Sequence, residues 1–324
     1  MGDIRNIKKG LDRLKYLAES FSYYFMPDFV SRLHYNHSLR DFSEKDQEEI
    51  LERAKYYVKL PPESRVGEEA ILNGEFKFPF KEKQRHSAYF FDIYPFLRQQ
   101  SDDFRFYYCN EDIDTETPVA TFVKSRPVTN GYTNSVLCRL NSIRHFRFIK
   151  DQRPFSSKDD VVVMRNVVIH APRVKLMEKW FGTPGTDFGK INADHGHPEW
   201  LRPRLTIEDQ LSHKFIMCIR GNDVATNLKW VMSSNSVAVM PAPDVESWFM
   251  EGLLKPDYHY IKVSYDYSDL MDKLEWYKTH PRDAEEIVHN AHKWVDRFRE
   301  RRMEFAVMDE VIRQYFIQTD QLKA

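Results

Sequence analysis

A chain of 324 residues is long for one hydrophobic core, and its length favours two domains. Its 48 Lys and Arg are offset by 49 Asp and Glu, which excludes a net basic field that would hold nucleic acid. An anionic ligand must therefore meet a local cluster of cations, and the 14% aromatic content without any low-complexity tract describes an ordered chain.

The opening segment, MGDIRNIKKGLDRLKYLAES, is amphipathic and lacks the continuous apolar stretch of a secretory signal. No apolar run reaches the ~20 residues needed to span a bilayer, so the expected location is the cytoplasm. The basic, aromatic stretch IRNIKKGLDRLKYLAESFSYYF has two readings: packing on the N-terminal half, which is preferred, or peripheral contact with an anionic lipid-linked acceptor at the inner membrane. Helices continue to about Leu60. SEKDQEEILERAKYYVKL opens with Ser43 and Asp46 in a capping-box spacing, and Pro61-Pro62 ends it.

An aromatic edge strand is expected between Phe76 and Phe80, then a buried helix in SAYFFDIYPFLRQQ. The aromatic strand FRFYYCN stops at Asn110-Glu111-Asp112, a polar loop of the kind where α/β proteins place function. LNSIRHFRFIKDQRPFSSKDD reads as the crossover between halves. Cys109, Cys138 and Cys218 are far apart in apolar runs, as buried reduced thiols are.

Beyond Asp160 the chain alternates. The strand DVVVMRN has the continuous apolar character of a parallel strand, and a helix follows from Pro172 to Phe181. After a loop rich in Gly, Pro and His come a helix at Ile207–Ser212, strand Lys214–Arg220, helix Ala225–Ser233, strand Ser236–Met240, helix Val245–Leu254 and strand Tyr258–Val263. A helix at Tyr267–Thr279 and a long helical stretch from Pro281 complete the chain. Such alternation means a parallel sheet with right-handed crossovers. Ligands of such sheets lie beyond the carboxyl ends of the strands, where Arg220-Gly221-Asn222 falls. Gly221 permits close approach, and a helix opening near Asp223 to Thr226 would offer N–H groups to a phosphate. By itself, a lone glycine at a strand-to-helix turn more often binds nothing.

Several ordered motifs together point further. IRGNDVATNLKWVMSSNSVAVM, WFMEGLLKPDYHYIKVSYDYSDLMDKLEWYKTHP, FRFYYCNEDID and IRHFRFIKDQRPFSSKDDVVVMRNVVIHAPR resemble the family 90 glycosyltransferases over roughly Phe104 to His292. That family includes eukaryotic protein O-glucosyltransferases, fungal capsule-associated xylosyltransferases and bacterial lipopolysaccharide-core enzymes, and GNDVATNLKWVMSSNS and YHYIKV most resemble the bacterial branch. The resemblance implies an α/β, GT-B-like architecture, two Rossmann-type halves facing a cleft, with helical N- and C-terminal extensions. Residues 1–157 would form the acceptor-side domain, 158–300 the domain binding a nucleotide sugar, and 301–324 a helix packing back on the N-terminal half. It also implies inversion at the anomeric carbon without a metal ion or other cofactor.

Inverting transfer needs a base for the acceptor hydroxyl and cationic or N–H groups for the departing diphosphate. Asp112 resembles the family's base, with Glu111 as its neighbouring rival. Arg165 matches the arginine of a Trp-Arg-Gly motif in which Met164 and Asn166 replace the flanking residues. Arg173 matches an arginine that reaches the diphosphate, and a planar fork suits phosphate. Where many family members carry Ser-x-Arg, this chain has Ala225-Thr226-Asn227, leaving Lys229, Arg220 and the helix N-terminus to compensate. Glu251 stands where GT-B enzymes place a carboxylate on the ribose. Read as structural residues, Asp112 caps a turn and Arg173 and Glu251 are solvated helix charges.

Three competing readings remain. His195-Gly196-His197 with Asp194 and Glu199 offers metal ligands, yet no partner pair with ligand spacing occurs elsewhere. A nucleotide- or carbohydrate-binding relative without activity would also fit the departures at Met164, Asn166 and Asn227, and a protein O-glycosyltransferase is the third. His289 and His292 read as surface or interface residues. The reading adopted is a UDP-sugar-dependent transferase acting on a hydroxyl of a bacterial surface glycan or glycolipid.

Overall fold

In the computed structural model, which describes residues 2–78 and 87–323, the chain divides into two compact units. Met1–Arg144 and Glu300–Ala324 form the first, His145–Arg299 the second. The division precedes the expected boundary at 158 because the intervening segment bonds to the second unit. Ile149 N–H donates to Ser233 Oγ (3.0 Å), and buried Asp151 accepts from Lys158 (2.6 Å) and the Asn235 N–H (3.0 Å).

The first unit opens with three helices, α1 (Gly2–Tyr24), α2 (Asp28–Ser38) and α3 (Glu44–Tyr57). α3 starts at the capping box of Ser43 and Asp46, with both reciprocal bonds present. Strand β1 (Ile71–Leu72) and helix α4 (Ser87–Leu97) precede β2 (Arg105–Tyr108), β3 (Thr121–Val123), β4 (Ser125–Pro127), β5 (Ser135–Leu137) and the single turn α5 (Ser142–His145). Phe76–Phe78 form no strand, and the far end of the one expected over Phe76–Phe80 lies outside the described residues.

The sheet order is β1-β2-β3-β5, with β1 antiparallel to β2 and the other neighbours parallel. No helix separates β2 from β3 or β3 from β5, so the βαβ winding expected of a Rossmann-type half is missing here. Its place is taken by α11 (Arg301–Gln318), which returns to this unit. Tyr315 of α11 packs on Phe122 (4.1 Å between ring centres) and Phe316 on Phe104 (4.8 Å).

The second unit holds the alternation. Its elements are β6 (Asp159–Asn166), α6 (Ala171–Trp180), β7 (Thr186–Lys190), α7 (Ile207–Gln210), β8 (His213–Met217), α8 (Leu228–Met232), β9 (Val237–Met240), β10 (Val245–Ser247), β11 (Ile261–Lys262), α9 (Leu270–Thr279) and α10 (Pro281–Asp296). Five strands run parallel in the order β11-β9-β8-β6-β7. Val162, Met164, Phe215, Met217, Val237 and Val239 form the buried heart of the sheet under Leu176, Leu270 and Ile287 of the helices.

Three expectations fail locally. β8 stops at Met217 instead of Arg220, and α8 begins at Leu228 instead of Ala225, so no helix opens at Asp223–Thr226. Val245–Leu254 is not a helix. It is β10 followed by a tight turn at Glu251–Leu253, with Met250 in the left-handed region (φ 55). Consecutive Trp248, Phe249, Met250 and Glu251 are all buried, which successive 100° steps around a helix with one solvent face would not allow.

Candidate active site

In the second unit's sheet, the first strand in sequence, β6, connects outward to β7, whereas its other neighbour β8 connects to β9 on the opposite side. Connections that diverge from adjacent strands leave a crevice beyond their carboxyl ends, the switch point of a doubly wound sheet. A pocket of about 630 Å³ lies there, within the range of ligand pockets. Ile169 comes from the β6–α6 connection and Pro172 from the first turn of α6, Ile219, Arg220 and Ala225 follow β8, Pro241 and Asp244 follow β9, and Tyr265 and Tyr267 follow β11.

Cations gather at this edge. Arg220 pairs with Asp244 (3.2 Å) in the wall. Arg173 lies behind it and ties the strand ends together, donating to the Ile219 carbonyl (3.0 and 3.3 Å) and to the Val167 carbonyl (2.9 Å). Burial, then the charges of Arg173 and Arg220, depress the pKa of His170. His170 is the N-cap of α6, whose first residues line the pocket and whose opening N–H groups add positive potential. The helix terminus at the pocket is therefore that of α6, not one at Asp223–Thr226. Gly221 earns its place by what surrounds it: a Cβ there would come within 3.2 Å of both Arg173 Nη2 and His170 Nε2.

Of the three carboxylates on the wall, Glu178, Asp244 and Glu251, the buried one is Glu251, 2% exposed. It pairs with Lys229 (2.5 Å), itself wholly buried, and accepts from the Ser247 N–H (2.6 Å) and hydroxyl (2.9 Å). Lys229 is thus the counterion of Glu251 and does not itself line the pocket. Asn227 donates to the Met217 carbonyl (2.9 Å) and pins the end of β8, while Thr226 is half-buried and Asn222 exposed, neither in the wall.

Arg165 is also placed elsewhere. Its fork is taken by Asp187 Oδ1 (2.6 Å) and by the carbonyls of Asp187 (2.7 Å), Met164 (3.0 Å) and Pro203 (3.2 Å). Asn166 adopts no positive φ, because β6 continues through it in register with Lys190.

Sequence reasoning missed Tyr267 in the pocket wall. This residue is wholly buried and left-handed (φ 57), and its hydroxyl has no hydrogen-bond partner among the described residues. Burial raises its pKa, and the Arg173 charge opposes that. An unusual backbone and a buried unpaired hydroxyl cluster at functional sites. No sequence signal marks either.

In the first unit, Asp112 follows β2 and is held from two sides: Tyr89 donates to its Oδ1 (2.7 Å) and Lys124 forms an ion pair with the same oxygen. Burial opposes ionisation, but Lys124 and both hydrogen bonds outweigh it and depress the pKa. The rival Glu111 is exposed. His197 stacks on Trp200 (3.7 Å) and pairs with Glu199 (2.9 Å), and among the described residues no three His, Cys, Asp or Glu side chains converge as a metal site.

Comparisons with known proteins bear on this arrangement. The family described as "Glycosyl transferase family 90" matches residues 191–318. The O-glucosyltransferase LpsA of Dichelobacter nodosus is 34% identical over 275 residues, 83% of this chain and 86% of the relative. Uncharacterized proteins of Invertebrate iridescent virus 6 and Frog virus 3 are 32% and 30% identical over 38% and 35% of this chain, yet over only 10% and 11% of their own lengths. The motifs at the strand ends and the near full-length likeness to LpsA agree: the chain belongs to glycosyltransferase family 90.

Proposed function

We propose that this chain is an inverting, metal-independent, GT-B-type glycosyltransferase that moves a hexose or pentose from a UDP-sugar to a hydroxyl of a bacterial surface glycan, lipopolysaccharide core or a related glycolipid. The observation that carries the reading is the pocket at the switch point of the parallel sheet, with Arg220, Arg173, His170 and the α6 N-terminus grouped at one edge.

In this reading the acceptor oxygen attacks the anomeric carbon and Asp112 takes its proton, while the bond from that carbon to the diphosphate breaks and its electron pair leaves with UDP. The depressed pKa keeps Asp112 ionised at neutral pH, and Oδ2, which accepts nothing from the described residues, is the oxygen for the proton. The cation cluster stabilises the departing diphosphate. Glu251 holds the ribose hydroxyls, its carboxylate positioned by Lys229.

Thermal unfolding with UDP and a panel of UDP-sugars, with and without EDTA, tests this. LpsA is an O-glucosyltransferase, so UDP-glucose heads the panel. A donor at 100 times its Kd should add about 2.7 kcal/mol of stability, unaffected by EDTA. Absence of any shift at millimolar nucleotide would remove the donor assignment, and a shift abolished by EDTA would remove metal independence.

A further inference from the structure

α1 and α2 each have one face engaged. Tyr16 donates to Asp92 (2.8 Å), Phe21 packs edge-on against Phe91 (4.9 Å), and Tyr24 donates to the Phe78 carbonyl (3.1 Å). On α2, Ser31 and Tyr35 are buried, and Tyr35 donates to Asp309. The preferred reading of this segment, packing, holds for these faces.

The remaining surface is unlike the rest of the molecule. Leu11, Leu14, Phe25, Phe29 and Leu33 are 58–74% exposed. Elsewhere among the described residues only Tyr132 and Tyr265, far apart in the chain, match that range. Phe29 and Leu33 stand four apart on one face of α2. Phe25 belongs to a fixed turn, since Arg98 donates to the carbonyls of Tyr23 (2.8 Å) and Met26 (3.0 Å) and pairs with Asp28 (2.5 Å). The apolar side chains are therefore presented, not frayed.

Charge selects the partner. Cations interleave with these residues: Arg13 and Lys15 around Leu14, Arg32 beside Leu33, and Arg40 just beyond α2, all exposed. Arg301, 89% exposed, reaches Glu19 of α1 (3.9 Å) and adds to the group. Residues 1–40 carry seven Lys and Arg against four Asp and Glu, in a chain whose net charge is −1. Apolar anchors among cations are the pattern of a helix lying in the plane of an anionic bilayer surface, whereas a second copy docking through the same face would set these cations against their like.

We propose that this face docks on an anionic lipid bilayer, with Phe25, Phe29 and Leu33 entering the boundary between headgroups and acyl chains and the cations facing lipid phosphate. No helix of the described residues is long and apolar enough to cross a membrane, so the contact is peripheral. The proposal stands apart from the donor assignment, and its test does too.

Flotation of the full chain with vesicles of phosphatidylcholine, alone or with about one-third phosphatidylglycerol, is the measurement. The protein should float with anionic vesicles, bind neutral ones about tenfold or more weakly, and release as salt rises. The variant Phe25→Glu/Phe29→Glu/Leu33→Glu alters only exposed positions. It should lose at least about tenfold in partitioning while circular dichroism and melting temperature hold. Failure of the unaltered protein to bind anionic vesicles, or equal binding by the variant, overturns the proposal. So does a concentration-dependent dimer that the variant abolishes, because the face would then belong to a second copy. Vesicle binding with no UDP-induced thermal shift would remove the donor assignment alone.

Discussion

Arg53–Glu304 in the first unit and Lys229–Glu251 in the second are ion pairs at 2.6 and 2.5 Å, all four side chains no more than 3% exposed. They differ in what the carboxylate faces. Glu304, also 3.3 Å from Arg139, joins α3 to α11 and does not line that pocket. Glu251 forms part of a pocket wall, where the Lys229 ammonium and the Ser247 N–H and hydroxyl satisfy its buried oxygens. One arrangement of charge fastens α11 to α3, and the other places a carboxylate in the wall of a pocket. Burial alone does not tell them apart.

The sharpest break between the units is chemical. Asp112→Asn should lower turnover by about 10²–10⁴-fold while the thermal shift with UDP stays intact, since every residue lining the pocket proposed for the donor belongs to the second unit. A loss of UDP binding in parallel would contradict that division.

The two ion pairs come next. Glu304→Ala and Lys229→Met should each cost about 3–5 kcal/mol in denaturant unfolding, because each leaves a buried charge unpaired. Only Lys229→Met should also weaken UDP. If both variants bind UDP equally well, Glu251 has no part in the donor site.

Acid should separate the units further. In the first, burial raises Asp92 and Asp309 to about 6. Their folded pKa exceeds the unfolded value near 3.8, so stability is gained as pH falls from above 6 towards 4. In the second, burial lowers His259 to about 4 and depresses His170 and His213. Those histidines charge more readily when unfolded, so stability is lost between pH 6.5 and 4. Calorimetry from pH 7 to 5 should show the two transitions moving in opposite directions, by about 1–3 kcal/mol. Asp309→Asn should flatten the first unit's slope, and parallel movement of both transitions would refute the assignment.

The smallest effect tests Tyr267. Tyr267→Phe removes a buried hydroxyl without a partner, so the free protein should be as stable or slightly more so, while UDP or UDP-sugar affinity falls by about fivefold. A purely structural tyrosine would give the reverse.

How much was legible varied with how local the determinant was. The Ser43 capping box, the apolar runs of β6 and β9 and the helix of HAPRVKLMEKW are set by neighbours within a turn or by strand periodicity, and each formed within a few residues of its expected place. WFMEGLL failed because its burial comes from several sides at once, which no single period records. Arg165 and Asn227 were placed at the donor by their positions in family motifs and Lys229 by its charge, but Asp187, the Met217 carbonyl and Glu251 are the partners they reach.

The sequence by itself determined the balance of charge, the β-α alternation after Asp160 and the motifs of a glycosyltransferase, since composition, period and wording need no third dimension. Tertiary structure decided the strand order that opens a crevice between β6 and β8, the inward turn of Glu251 onto Lys229, the unpaired hydroxyl of Tyr267 and the return of α11 to the first unit. Each depends on residues distant in the chain competing for the same donor, acceptor or apolar surface, and that competition is settled only when the elements pack.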